Sequence, residues 1–295
     1  MTCARTARLG LAFAAALLPA VAQAQSFVLM TQNMLRFGHG SRLENQCKAI
    51  AKASLKVDII VLQEVMTNGY PCIGTNNNKD VDMPVPANFR YVTSPAKGEK
   101  YVEYYGILYR YTPRNNIQIT NPGNKVVDFQ WKEFIRPPYA VFFNVKSKEK
   151  TCKVWVVDFH SIFGKKIEER QKEVKEMGKV YTYLMGRDGG KVIMAGDWNL
   201  PTVDLTGFDW VANKPAKIDP NVLTSLTRDG TASSAYDHAI NTFAPSNSPV
   251  TINEPSSGWV YVGTSTSPPS PSDLAEWRAK VSDHMGVIGD VTLRC

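Results

Sequence analysis

Apolar residues fall along this chain in short runs, and most of the runs stop at a polar side chain. Phe27-Val28-Leu29-Met30 leads to Asn33, and Val57-Asp58-Ile59-Ile60-Val61-Leu62 ends in Gln63-Glu64. Val192-Ile193-Met194-Ala195 runs into Gly196-Asp197-Trp198-Asn199. Runs of this length, rich in β-branched residues and closed by turn formers, predict buried strands. Further strands are expected at 89–93, at 103–110 from Glu103, at 139–145, and at 153–159 before His160. Two more are expected at 235–240, carrying Asp237 and His238, and at 285–293, after Ser282-Asp283-His284. Two stretches have helical spacing instead. Residues 42–56 place Leu43, Cys47, Ile50 and Leu55 on one face. Residues 167–185 turn Ile167, Val174, Met177, Val180, Tyr181 and Leu184 inward and leave Glu168, Glu169, Lys172, Glu173, Lys175 and Glu176 to solvent. Segments 66–88, 115–131, 201–234 and 246–272 read as loops or weak connections, and 274–280 as a helical turn. Strands outnumber helices, and two helices each fall between strands. The pattern predicts an α+β or α/β sandwich with sheets inside and helices outside.

The N-terminus stands apart from this pattern. Arg5 and Arg8 precede an apolar run, Leu9 to Leu18, followed by Pro19 and Ala22-Gln23-Ala24. That is the form of a secretory signal peptide cleaved near Ala24. Residues 1–24 are then a leader and 25–295 a single domain, exported to the periplasm or beyond. No later run is long enough to span a bilayer, so no stable membrane insertion is expected; the chain is expected to act as a monomer. The chain is 43% hydrophobic, enough for a sizeable core. Its formal charge of +7, two of it in the leader, suits a polyanionic substrate. Without Cys3, four cysteines remain in an exported chain, with three connectivities open. Cys152 opens one predicted strand and Cys295 closes the last. If those strands are antiparallel neighbours, Cys152–Cys295 and Cys47–Cys72 are the favoured disulfides.

The polar strand ends carry the candidate chemistry. Asp197 and Asn199 point to the same side if strand geometry persists, where they can hold a cation or a phosphate oxygen. An Asx-type turn closing the strand is the other reading of the same residues. Asn33, Glu64, Glu103, His160, Asp237, Asp283 and His284 stand at similar positions on other strands. Together they supply oxygen ligands for a hard cation and two histidines with carboxylates to pair with.

These motifs resemble those of the endonuclease/exonuclease/phosphatase superfamily, in its deoxyribonuclease I branch. They stand here, in the family's order, as Gln32-Asn33, Leu62-Gln63-Glu64, Tyr101-Val102-Glu103 through Leu108-Tyr109-Arg110, Arg136-Pro137-Pro138, Phe159-His160, Gly196-Asp197-Trp198-Asn199, Tyr236-Asp237 and Ser282-Asp283-His284. The resemblance implies a four-layer sandwich of two mixed sheets packed face to face, with helices outside. It implies a phosphodiesterase using Mg²⁺ or Mn²⁺, and it allows a structural Ca²⁺. By that resemblance Glu64 is the main metal ligand, with Asn33 and Asp283 assisting. His160 pairs with Glu103 and His284 with Asp237, taken here as acid and base respectively. Asp197 and Asn199 position water and a phosphate oxygen, and Arg136 contacts phosphate. Tyr101 contacts the groove of a DNA substrate. Two positions depart from the branch: Met66 stands where it has a minor-groove arginine, and His238 where many relatives have arginine. The implied activity is endonucleolytic hydrolysis of DNA, with a sphingomyelinase-type or other phosphoesterase as the alternative. A lipid-active enzyme needs an exposed apolar hairpin, for which Ser256 to Val262 is the candidate. A binding module without chemistry ranks last, since no key polar residue is missing.

Overall fold

The computed structural model describes residues 24–73, 83–99, 102–148, 150–164, 166–188, 191–201, 204, 223–241, 250–253, 260–261 and 269–295. In chain order they form β1 (Ala24–Phe37), α1 (Leu43–Ala53), β2 (Ile59–Val65), β3 (Phe89–Thr93), β4 (Tyr104–Arg110), β5 (Gln118–Thr120), β6 (Val126–Asp128), β7 (Tyr139–Lys146) and β8 (Thr151–His160). There follow α2 (Ile167–Met185), β9 (Val192–Asp197), β10 (Ser225–Leu226), β11 (Ala232–Ser234), β12 (Asp237–Asn241), β13 (Val250–Asn253), β14 (Val260–Tyr261), α3 (Pro271–Lys280) and β15 (Gly286–Arg294).

One sheet has the order β13-β15-β1-β2-β4-β3, with β14 also paired to β15. The other runs β12-β9-β8-β7-β5, with β6 also paired to β7, and β10 and β11 form a separate ribbon. Both large sheets are mixed. β1 and β2 are parallel, as are β8 and β9, and the other pairs are antiparallel. A parallel connection must cross the sheet, and α1 and α2 make the two crossings.

The pleat sorts side chains into layers. Leu29, Ile59, Val61 and Ile107 of the first sheet meet Val141, Val156, Ile193 and Ala195 of the second. Their neighbours in sequence face outward. Met30, Ile60 and Leu62 pack on Leu43, Ile50 and Trp277 of α1 and α3. Phe142, Trp155, Val157 and Met194 pack on Val174, Met177, Val180 and Leu184 of α2. The result is the four-layer sandwich expected from the sequence.

Several short elements lie where loops were expected: β5, β6, the β10–β11 ribbon, β13 and β14. Edge strands of two to four residues leave too short a pattern to read. The turn expected at 274–280 is a full helix because its start is capped. Ser270 accepts from the Asp273 amide, Asp273 accepts from the Ser270 amide, and Pro271 takes the first turn. Cys47 and Cys72 lie with Cα atoms 5.8 Å apart, and Cys152 and Cys295 with Cα atoms 5.6 Å apart, both within disulfide span. β8 and β15 belong to different sheets, so Cys152 reaches Cys295 across the sandwich and not along paired strands. Among the described residues no helix is long and apolar enough to cross a membrane.

Candidate active site

Strand direction gathers the polar ends. In a parallel pair both carboxyl ends lie at one edge, and antiparallel neighbours begin there. β1, β2, β8 and β9 therefore bring Asn33, Glu64, His160 and Asp197 to the same edge of the sandwich. β4, β12 and β15 start at that edge, at Glu103, Asp237 and His284. The register is close: His160 pairs with Asp197, and Asp197 with Asp237, across three adjacent strands.

The pleat then aims most of these side chains between the sheets. Asn33 continues the inward series of Phe27 and Leu29, Glu103 that of Tyr105 and Ile107, and His160 that of Val154 and Val156. Asp197 follows Ile193 and Ala195 in the same way, and Asp237 shares its face with Ala239. Glu64 is the exception, because its parity is that of the outward Ile60 and Leu62. The β2 register with β4 shifts between Leu62 and Val65, and Glu64 has φ 57°. A left-handed glutamate inside a bulge is strained by about 1–3 kcal/mol, and here the bulge brings the carboxylate to the edge. Gly196 is required for another reason. With φ 150°, a Cβ there would meet the Phe159 carbonyl oxygen at 1.8 Å.

Asp197 is the hub. Its Oδ2 accepts from Asn33 Nδ2 at 3.0 Å and lies 3.7 Å from Nε2 of both His160 and His284. Its Oδ1 accepts from the Asn199 amide at 2.9 Å. The Asx turn and the site hub are thus the same carboxylate, using different oxygens. Asn199 lies beyond the end of β9 with φ 50°, and its side chain donates to Ser161 O at 3.0 Å. It does not share a strand face with Asp197. His160 Nδ1 is 2.7 Å from Glu103 Oε1, and His284 Nδ1 is 2.7 Å from Asp237 Oδ2. Asn33 Nδ2 also donates to Glu64 Oε1 at 3.1 Å, and the Arg36 amide donates to Glu64 Oε2 at 3.1 Å. Ser282 Oγ ties the two ends of the site together, donating to Asn33 O at 2.7 Å and accepting from the His284 amide at 3.1 Å.

The charges act on the two rings differently. Burial pulls the pKa of His284 down, but Asp237, Asp197 and Asp283 outweigh it and raise it to about 10. Burial also opposes the charged form of His160, Glu103 attracts its proton, and Arg136 repels it; the net direction is up. Beneath the site Asp158 is fully buried. Burial pushes its carboxyl well above the usual range, while Gln63 donates to it at 2.7 Å.

Arg136 stands elsewhere than a phosphate arm would. It is buried, and it donates from Nε to His160 O at 3.1 Å and from Nη2 to Ser161 O at 2.5 Å. Its Nε is also 3.3 Å from Glu103 Oε1, the oxygen that His160 uses. Asp283 faces Arg278 of α3 at 3.8 Å. His238 is buried against Leu200 O at 2.8 Å, and burial lowers its pKa. Met66 is half-buried. Tyr101 and most of the 256–262 hairpin lie outside the described residues; of that hairpin, Val260 and Tyr261 pair with β15. Glu173, expected in solvent, is 3% exposed and accepts from the Ile135 amide at 2.7 Å, the Ile162 amide at 2.5 Å and Ser161 Oγ at 3.0 Å. It binds the loop before Arg136 to the loop after His160. Its signal was in the spacing: Glu173, Met177, Val180 and Leu184 share one helical face.

No family model matches the sequence, and no curated protein matches it. Solved structures do. An endonuclease/exonuclease/phosphatase family protein from Bacteroides thetaiotaomicron superposes with TM-score 0.55 at 15% identity, over 92% of this chain and 97% of that one. A mannosyl-6-phosphatase of the same organism gives TM-score 0.55 at 15% identity, over 90% and 99%. TDP2 of D. rerio, complexed with a single-strand DNA product, gives 0.52 at 13% identity, over 90% and 98%. At these identities the likeness is one of fold: the chain has the fold of the endonuclease/exonuclease/phosphatase proteins.

Proposed function

We propose that this chain is a divalent-metal-dependent phosphodiesterase, exported from the cell, that cuts DNA internally with water as the nucleophile. The observation that carries this is the hub. One oxygen of Asp197 faces the Nε2 atoms of two histidines, each backed by its own carboxylate, with an amide and a further carboxylate alongside. Phosphodiester hydrolysis needs a base for water, an acid for the leaving oxygen, and positive charge at the equatorial oxygens.

The residues fit a hard cation. Glu64 offers carboxylate oxygens on one lip, held there by a strained backbone, and Asn33 beside it can add its Oδ1, which accepts from the Leu35 amide at 3.0 Å and keeps a second lone pair. Among the described residues Asp237 Oδ1 is buried without a hydrogen-bond partner, which marks a region short of positive charge or water. We assign the cation to Glu64 and Asn33, with Asp283 in second place because Arg278 engages it. Asp197, Asp237 and His284 also stand close enough together to share an ion. His284 is already committed to Asp237, however, and is needed for proton transfer. When bound, Mg²⁺ or Mn²⁺ supplies charge neutralisation at the phosphoryl oxygens.

The surrounding charges favour His284 as the acid and His160 as the base, the reverse of the assignment made from sequence. Three carboxylates hold the proton on His284, whereas Arg136 sits beside the partner of His160. Asp197 orients the water between them, and Asn199 fixes the turn that holds Asp197.

The test is a panel of supercoiled plasmid, single-stranded DNA, RNA, sphingomyelin vesicles and sugar phosphates, with Mg²⁺ and with EDTA. Nicking of plasmid that EDTA stops and Mg²⁺ restores is the expected result. Hydrolysis confined to lipid head groups or sugar monoesters would replace the endonuclease by another phosphoesterase of the same chemistry. Unimpaired plasmid cleavage in EDTA would remove the metal.

A further inference from the structure

Beside the histidines lies a second feature that the hydrolytic site leaves unused. A depression of about 570 Å³ is lined by Ile135, Ile162, Lys132, Lys172, Glu133 and Glu169. It shares a wall with the site, because buried Glu173 binds the amides of both Ile135 and Ile162. Ile135 immediately precedes Arg136, and Ile162 follows His160 by two residues. Next to Ile162 comes Phe163, whose side chain is 76% exposed; Ile135 is 56% exposed. Phe163 is within about 11 Å of His160 along the chain, three residues at 3.8 Å each. The base of its loop is pinned at Ser161 by Asn199, Arg136 and Glu173, so the ring is presented on a fixed support. In sequence Phe163 is followed by Gly164, Lys165 and Lys166.

We propose that this loop and depression form a nucleobase subsite: Phe163 stacks an unpaired base next to the scissile phosphate, and exposed Lys166, 3.6 Å from Glu169 on the depression's rim, meets the strand's backbone. Resting on the reading of the site as a DNA phosphodiesterase, it adds that unpaired strand is preferred to duplex. An aromatic ring followed by basic residues is the combination that binds single strands, since every base has a face to stack and every nucleotide a charge to neutralise. In a duplex that face is already stacked, and freeing it has a cost. The depression's lining supports a base over a bilayer. It is concave, and its rim mixes two lysines with two glutamates, which offer donors and acceptors to a base edge.

The test is equilibrium binding by fluorescence anisotropy in EDTA, where hydrolysis is off. The ligands are a single-stranded oligonucleotide, its duplex, and an oligomer of the same length built from base-free tetrahydrofuran units. Phe163→Ala is expected to weaken single-strand binding by about five-fold to a hundred-fold, the range for losing one stacked base. Affinity for the base-free oligomer is expected to stay unchanged, and Phe163→Trp to keep wild-type affinity for the single strand. Equal losses on both oligomers, or no loss on the single strand, would overturn the subsite. So would a Phe163→Ala loss of binding to phosphatidylglycerol vesicles with oligonucleotide binding intact, which would make the ring a lipid contact. If wild-type protein binds no oligomer at all, the nucleic-acid reading of the active site falls too. If it cuts DNA while Phe163→Ala binds single strands normally, the subsite alone falls.

Discussion

His160 and His284 each hold a carboxylate at 2.7 Å through Nδ1 and each turn Nε2 toward Asp197 at 3.7 Å. Both pairs also bridge the sheets: His160 of β8 reaches Glu103 at the head of β4, and Asp237 of β12 reaches His284 at the head of β15. They differ in what stands behind them. Behind Glu103 is Arg136, locked to two carbonyls, and behind that loop is Glu173 with three donors. Behind Asp237 there is no such cation among the described residues, and Asp237 Oδ1 lacks a protein partner. The first pair is braced and its carboxylate partly neutralised. The second leaves its ring surrounded by negative charge. Near-symmetric geometry can therefore present two rings of unequal proton affinity, which a reaction needing one acid and one base requires.

The strongest test removes each ring. His160→Ala and His284→Ala should each lower the rate by about 10²- to 10⁴-fold, with far-UV circular dichroism unchanged. Because the rings serve one transition state, the double variant should lose little more than the worse single one. Multiplicative losses would mean that the two pairs act in separate steps. Wild-type rates in both singles would put the chemistry elsewhere.

Arg136 tests the inequality itself. Arg136→Met removes the charge beside Glu103, so the proton affinity of His160 should rise. With His160 as base, the acid limb of kcat/KM should move to higher pH and the rate at neutral pH should fall, by up to about 100-fold if the ring also shifts. The dependence of binding on salt should not change. A phosphate-contacting arginine predicts the opposite pattern: a salt slope smaller by about one and an unmoved pH limb.

Glu173 tests the brace. Glu173→Gln keeps the shape but turns a carboxamide NH2 toward donors, leaving at least one buried N–H unpaired. The expected cost is about 1–3 kcal/mol. For a chain of this size each kcal/mol lowers Tm by about 2–4 °C. Calorimetry reads the shift, and an unchanged Tm would show that the three bonds to Glu173 stabilise nothing.

These residues also mark what the sequence made legible. The four layers could be read because β1, β2, β8 and β9 are buried runs of unmistakable pattern, and α2 carries a clear apolar face. The gathering of Asn33, Glu64, His160 and Asp197 at one edge follows from strand direction, which the intervening helices imply. The bulge at Glu64 could not be read, since its parity places the side chain on the wrong face until the backbone turns. The family resemblance makes Arg136 a phosphate contact, but its aim is set by the carbonyls of His160 and Ser161, 24 and 25 residues further along the chain. Glu173 was visible at helical spacing and was masked by the charged residues around it. Asn199 was misjudged for a local reason, because the strand stops at Asp197 and the left-handed turn begins.

The remaining test concerns stability and addresses the second pair in the metal-free protein. His284 has a pKa of about 10 in the folded chain and about 6.5 unfolded. Below pH 6.5 the ring is protonated in both states, and its contribution to stability is fully present. Between 6.5 and 10 only the folded state keeps the proton, so the contribution declines as pH rises and is gone above 10. In EDTA, Tm should therefore fall across this window, and Asp237→Asn should flatten the fall by removing the largest attraction. Glu103→Gln should flatten it less, because Arg136 already offsets part of that charge. A wild-type Tm independent of pH from 6.5 to 10 would falsify the unequal-ring picture. Added Mg²⁺ sharpens the test. Proton and cation draw on neighbouring carboxylates, so each should weaken the other's binding. The stabilisation from Mg²⁺ should then grow as pH rises and the ring gives up its proton. A Mg²⁺ effect of constant size across the window would mean that the cation sits too far from Asp197 and Asp237 to share their charge.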